Sequence, residues 1–148
     1  MRIQSVRFGT LDVDASRVVD FPAGLPGFPR SRRFALLWAD AREVFWWLQS
    51  IEEAGVCFLV TDPALWIPDH SIDLRPEDAR RLELRSMEDL AVVALVARHG
   101  DRLTANLRSP LVFNAATRRG VQLVLGDDSW SVRHDLASVE MPALAGIA

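Results

Sequence analysis

At 148 residues the chain fits one domain, and 49% hydrophobic with 25% charged residues is an ordinary globular balance with material for a core. A net charge of -3 speaks against a nucleic-acid binder, whose affinity rests on a strongly basic face. One cysteine excludes an internal disulfide framework and fits a reducing compartment; the charged residues through positions 1–20 exclude a signal-peptide core, and no run approaches the about 20 apolar residues of a membrane helix. The expected location is the cytoplasm. All seventeen basic residues are arginines and there is no tyrosine, which reads as coding bias.

Strand signals dominate. Ile3 to Phe8 alternates, with apolar members on both faces, and Gly9 allows a turn before Leu11 and Val13 resume in phase. Val18 to Phe21 reads as a third strand. Pro22 to Pro29 is a loop, because three prolines and two glycines exclude a regular ladder. Phe34–Trp38, Val44–Leu48 and Val56–Thr61 are short β-branched or aromatic runs and read as buried strands. Asp62-Pro63 closes the last.

One helix is predicted over 76–84. Pro76 suits its first position, Glu77 and Asp78 face the positive end of the dipole, and Arg80, Arg81 and Arg85 the negative end. Ser86 is a weak cap for a further turn. Strands follow at Leu90–Val96, Leu103–Leu107, Leu111–Phe113, Val121–Leu125 and Trp130–Arg133, with turns at 99–101 and 126–128. About ten short strands and one helix predict a mainly β, antiparallel barrel-like fold, a single domain over 1–140, with 141–148 a loose tail.

Catalytic and metal constellations do not emerge. Cys57 lies between Val56 and Phe58 and reads as an inert buried thiol. His70, His99 and His134 lack ligand spacing, and the aspartates at 62, 69 and 73 lack the calcium-loop pattern. No phosphate-cradling glycine motif or nucleophile elbow is present, so no cofactor, metal or catalytic residue is expected. Arg30-Ser31-Arg32-Arg33 and Arg118-Arg119 read as solvated loops first, with contact to an acidic partner or to RNA as the other reading, RNA being the poorer choice for an acidic chain. Phe45-Trp46-Trp47 is the more pointed feature. Consecutive strand residues face opposite ways, so either both faces are covered or one tryptophan is a surface anchor for a partner. Asn106 and Asn114 each end a strand and are expected to hold the Arg108-Ser109-Pro110 break.

Several blocks in order resemble the flagellar assembly factor FliW family. Thr104 to Asn114 is similar to its T-x-N-L-K-x-P-I-x-I-N, and Arg118 to Leu125 to its R-x-G-x-Q-x-x-L. Phe8-Gly9, then Phe21-Pro22-Ala23-Gly24-Leu25-Pro26-Gly27-Phe28, looks like its opening, and Phe45 to Ser50 like its F-x-W-L-Q-S. Phe58, Val60, Asp62-Pro63 and Pro68-Asp69 follow the same pattern. The chain departs at His70, Arg108, Phe113 and Trp130, where the family has tyrosine, lysine, isoleucine and often tyrosine.

The resemblance implies a non-enzymatic assembly factor that binds the translational regulator CsrA, a small basic RNA-binding dimer, and newly made flagellin. Competition between the two would relieve repression of flagellin translation, with no direct nucleic-acid or membrane contact. The alternative is a small barrel that binds RNA or a small ligand itself. The expected partner surface joins Phe45, Trp46 and Trp47 to the Leu107-Arg108-Ser109-Pro110 break, as aromatic anchors beside a strand edge that proline keeps open. Glu52 and Glu53 stand beside it, able to meet a basic partner, although a solvated turn is the favoured role for each.

Overall fold

The structure, a computed structural model, describes residues 1–126 and 130–136. The expected tail at 141–148 and part of the 126–128 turn lie outside the described residues. Strand order follows from short apolar runs joined by hairpins. β1 (Arg2–Ser5) and β2 (Gly9–Asp12) form a separate antiparallel hairpin. β3 (Val18–Asp20), β4 (Arg33–Trp38), β5 (Phe45–Ser50), β6 (Cys57–Thr61) and β7 (Leu90–His99) then pair antiparallel, each with the next.

β7 is long enough to carry two partners along one edge. Its second half pairs with β8 (Arg102–Ala105) and its first half with β9 (Leu111–Asn114), so the Asn106–Pro110 break lies between them on that edge. β10 (Gly120–Gln122) pairs with β9, and β11 (His134–Asp135) with β8. The end strands β3 and β10 come together only at one parallel bridge, Asp20 to Arg119, where the Asp20 N–H donates to Arg118 O at 2.8 Å. The fold is mainly β with one short helix among the described residues; ladder pairing does not close the sheet into a barrel.

Side-chain alternation divides the interior. Ala35, Leu37, Phe45, Trp47, Leu59, Ala94, Leu103, Ala105 and Leu107 lie on one face, covered by Ile3, Leu11 and Val13 of the first hairpin. Val19, Phe34, Leu48, Val60, Val93 and Leu111 lie on the other, where the loop after β3 contributes Phe21 and Leu25. Each large apolar side chain so buried contributes about 1.5–3 kcal/mol of transfer free energy. Gly24 makes that loop possible: its φ is +69°, and a Cβ there would sit 3.0 Å from Pro29 O.

Helix α1 (Pro76–Arg81) begins at proline as expected but stops short of residue 84. The Glu83 N–H donates to Arg80 O and the Leu84 N–H to Ala79 O, with Glu83 at φ 53°, the paired bonds of a left-handed helix stop. This turns Leu82 onto Val112, Val121 and Leu123. Ser86 does cap a short 3-10 turn, its Oγ accepting from the Glu88 N–H at 3.2 Å.

Several strand expectations change: β7 runs on to His99, into the expected 99–101 turn, and β8 ends at Ala105 instead of Leu107. The first strand ends at Ser5, whose Oγ accepts from the N–H groups of Arg7 and Phe8 and turns the chain away. The 130–133 segment forms no ladder; pairing starts at His134. Beyond Gln122 the ladder stops, yet the Leu123 and Leu125 N–H groups still donate to Pro110 O and Arg108 O.

Candidate functional site: a tryptophan-lined groove

The β4–β5 register sets Trp38 opposite Trp46, so both rings project from the same face, with centroids 5.3 Å apart. Trp47 takes the opposite face. It is 2% exposed, packed edge-on against Phe8 and covered by the Arg7 guanidinium at 4.4 Å. Phe45 is fully buried, 5.9 Å from the Trp66 ring. Of the three expected anchors only Trp46 reaches the surface; Phe45 and Trp47 are core, because alternation turns them inward.

Trp38 and Trp46 line a groove of about 540 Å³ with Leu36, Val93 and Phe113. Met87, 59% exposed, forms its lip. Arg17 stands at one end, its guanidinium 5.7 Å from the Trp38 ring centroid. There the groove meets a smaller hollow lined by Arg17, Leu36, Phe113 and Arg118, at the gap between β3 and the turn after β9. Asp62 and His70 stand on the wall as well. Asp62 caps the following 3-10 turn through the Ala64 N–H at 2.9 Å. Burial lowers the His70 pKa below 6.5, partly opposed by Asp62, and its ring packs on Trp130 at 4.8 Å.

The 106–110 break is closed rather than open. Leu107 is 3% exposed and Pro110 is buried. The Ser109 N–H donates to Asn106 Oδ1 at 3.1 Å, Gln122 Nε2 donates to Ser109 O at 3.0 Å, and Arg108 Nε donates to Trp130 O at 3.1 Å. With the Leu123 and Leu125 bonds added, the backbone edge that proline was expected to leave free is occupied. Arg108 and Ser109 remain half-buried.

Glu52 and Glu53 are engaged within the chain. The Glu52 carboxylate accepts from the Arg32 and Arg33 N–H groups at 2.7 and 2.8 Å and from Arg33 Nε at 3.0 Å. Desolvation pushes its pKa up, but those bonds outweigh it and hold the group below its ordinary value. Glu53 pairs with Arg30 at 3.0 Å and accepts from Ser31 Oγ, which also meets Ser50 Oγ at 2.7 Å. The carboxylates thus tie down the Arg30–Arg33 loop, and the neutralised pair is a poor lure for a basic partner.

Nothing in the sequence alone singles out Arg17, Trp38, Met87 or Phe113 as site residues. The signal within reach was the aromatic end of the Phe34–Trp38 run; the six-residue connection to Phe45 leaves its cross-strand partner open until register is known. Among the described residues no group of three or more His, Cys, Asp or Glu could hold a metal ion, and no helix is long and apolar enough to cross a membrane.

The family model "FliW protein" matches residues 2–136. The chain belongs to the FliW family. It is 39% identical over 141 residues to the flagellar assembly factor FliW of Desulfitobacterium hafniense, covering 93% of this chain and 92% of that one. It is 36% identical over 141 residues to that of Treponema pallidum, covering 93% of each, and 35% over 138 residues to that of Syntrophus aciditrophicus, covering 92% and 87%. A crystal structure of the flagellar assembly factor FliW superposes with a TM-score of 0.82 at 28% identity, covering 92% of this chain and 96% of that one. The FliW match spans both sheets and so includes the Trp38–Trp46 groove and the closed 106–110 break.

Proposed function

We propose that this FliW-family chain is a non-enzymatic, cytoplasmic assembly factor of the bacterial flagellum that binds CsrA and flagellin. Each partner weakens the other, so that secretion of flagellin frees the factor to capture CsrA and lift repression of flagellin translation. The observation that carries this reading is the family match across residues 2–136, at 39% identity to a protein named as a flagellar assembly factor. The groove supports it as a place for an apolar segment of a partner, since half-buried tryptophans are enriched where proteins dock. Mutual exclusion does not require one footprint, because coupling between two sites is reciprocal.

The test is a titration of the purified chain with CsrA, with and without saturating flagellin. A marked loss of CsrA affinity is expected when flagellin is present. Unchanged CsrA binding would sink the partner switch. A gel shift with flagellin leader RNA tests the other reading: a shift by this chain alone would favour direct RNA binding.

A further inference from the structure

We infer that the Trp38–Trp46 groove receives an apolar peptide segment that carries a carboxylate, with the carboxylate seated at the Arg17–Arg118 end. The inference rests on the protein-binding reading above and adds the chemistry of the occupant and its direction. The floor and lip are apolar: Leu36, Trp38, Trp46, Val93, Phe113 and the exposed Met87. Such a trough suits the apolar stripe of an amphipathic segment laid into it.

Where the groove meets the adjoining hollow its border is cationic. Arg17 and Arg118 both border the hollow that continues the groove beyond Phe113. Neither makes an ion pair among the described residues, whereas Arg30, Arg33, Arg75, Arg81 and Arg119 each do. Arg17 instead lies over the Trp38 face, which leaves guanidinium N–H groups for an acceptor. The Asp14 carboxylate, whose pKa is lowered mainly by its bond from the Ser16 N–H at 2.9 Å and slightly by Arg17, keeps its charge and lies close enough to offset part of the Arg17 charge. Asp62 and His70 lie on the wall with Ala64 and Ser71; Asp62 caps the following turn and keeps its negative charge there, so the cationic character is confined to the Arg17 and Arg118 border. A carboxylate entering where Arg17 and Arg118 border the hollow therefore meets two cations that make no ion pair among the described residues, and a basic segment placed the same way is disfavoured.

The probe is a fluorescein-labelled 15-residue helical peptide with leucines on one face and glutamates flanking them. Two counterparts have lysine for glutamate, or serine for leucine. Fluorescence anisotropy reads binding to the whole chain. The glutamate peptide is expected to bind about tenfold or more tighter than either counterpart, and to weaken as salt rises. Arg17→Gln with Arg118→Gln should erase most of the glutamate-over-lysine preference, and Met87→Ser should weaken the glutamate peptide by a few-fold. All three sites are at least partly exposed, so these variants keep the fold. Equal binding of glutamate and lysine peptides, or a preference unchanged in the double arginine variant, overturns the inference. The readout is separate from the CsrA–flagellin titration. If that titration fails while the peptides behave as expected, the partner switch falls and the groove assignment stands; the reverse pattern removes the groove assignment alone.

Discussion

The side chain of Asn114, 2% exposed at the end of β9, donates from Nδ2 to Leu82 O at 3.0 Å across 32 residues of sequence. Its Oδ1 accepts from the Ala116 N–H at 2.9 Å. One amide thus ties the stop of α1 to the sheet and closes the turn after β9. Asn114→Ala leaves a buried carbonyl and an N–H without partners, an expected loss of about 1–3 kcal/mol. Asn106→Ala removes one part-buried bond to the Ser109 N–H and should cost less, about 1 kcal/mol. Urea denaturation checks both. An Asn114→Ala chain with unchanged stability but lost partner binding would replace the structural role with a contact role.

Gly120 is required for space. A Cβ there would lie 2.6 Å from Phe21 Cε1, 3.0 Å from Val112 O and 3.1 Å from Phe113 Cβ. Phe21 is 1% exposed and held edge-on by Phe34, so it has little room to yield. Gly120→Ala is expected to destabilise by about 1–3 kcal/mol through overpacking. The urea midpoint should fall with the slope unchanged, and an unaltered midpoint would contradict the packing account.

Glu52 makes stability depend on acid. Its pKa is held below the ordinary 4.5 because the Arg33 and Arg32 N–H groups and the Arg33 side chain outweigh the desolvation that opposes them. A lowered folded pKa means that the unfolded chain binds the proton more readily. The stabilisation is therefore complete above pH 4.5 and fades as pH falls below it. Glu52→Gln should be less stable than the parent chain at neutral pH, with the gap narrowing in acid. A gap constant with pH would show that the charge is irrelevant there.

Cys57 should be slow to react. Burial pushes its thiol up to about 11, against the opposing pull of Arg7, so little thiolate exists at pH 8. A disulfide reagent such as dithiobis(nitrobenzoate) is expected to label the folded chain slowly and the urea-unfolded chain at the rate of a free thiol. Equal rates would mean that the site is open.

Much of the fold was legible in short runs. Phe34–Trp38, Val56–Thr61 and Leu111–Phe113 are bounded by turn residues and rich in β-branched or aromatic side chains, so each found its strand almost to the residue. Pro76 and the acidic first turn placed α1, and the family blocks from Phe21 to Leu125 were enough to point to FliW. The turn of a strand also told that Trp46 and Trp47 oppose each other, since alternation is a property of the backbone alone. Which of the two faces outward is a different kind of fact. It depends on the first hairpin and Arg7 covering one side of the sheet, while the other side is left as a trough between distant strands. The same holds for Glu52, Glu53 and the Pro110 break. Their chemistry suggested a free surface, but partners twenty residues away in one case and bonds from residues 122–125 in the other had already claimed them. Local sequence determined the strands, the helix start and the residue types. Only the long-range register, which brings β3 beside the turn after β9 and Trp38 beside Trp46, decided which of those residues meet solvent.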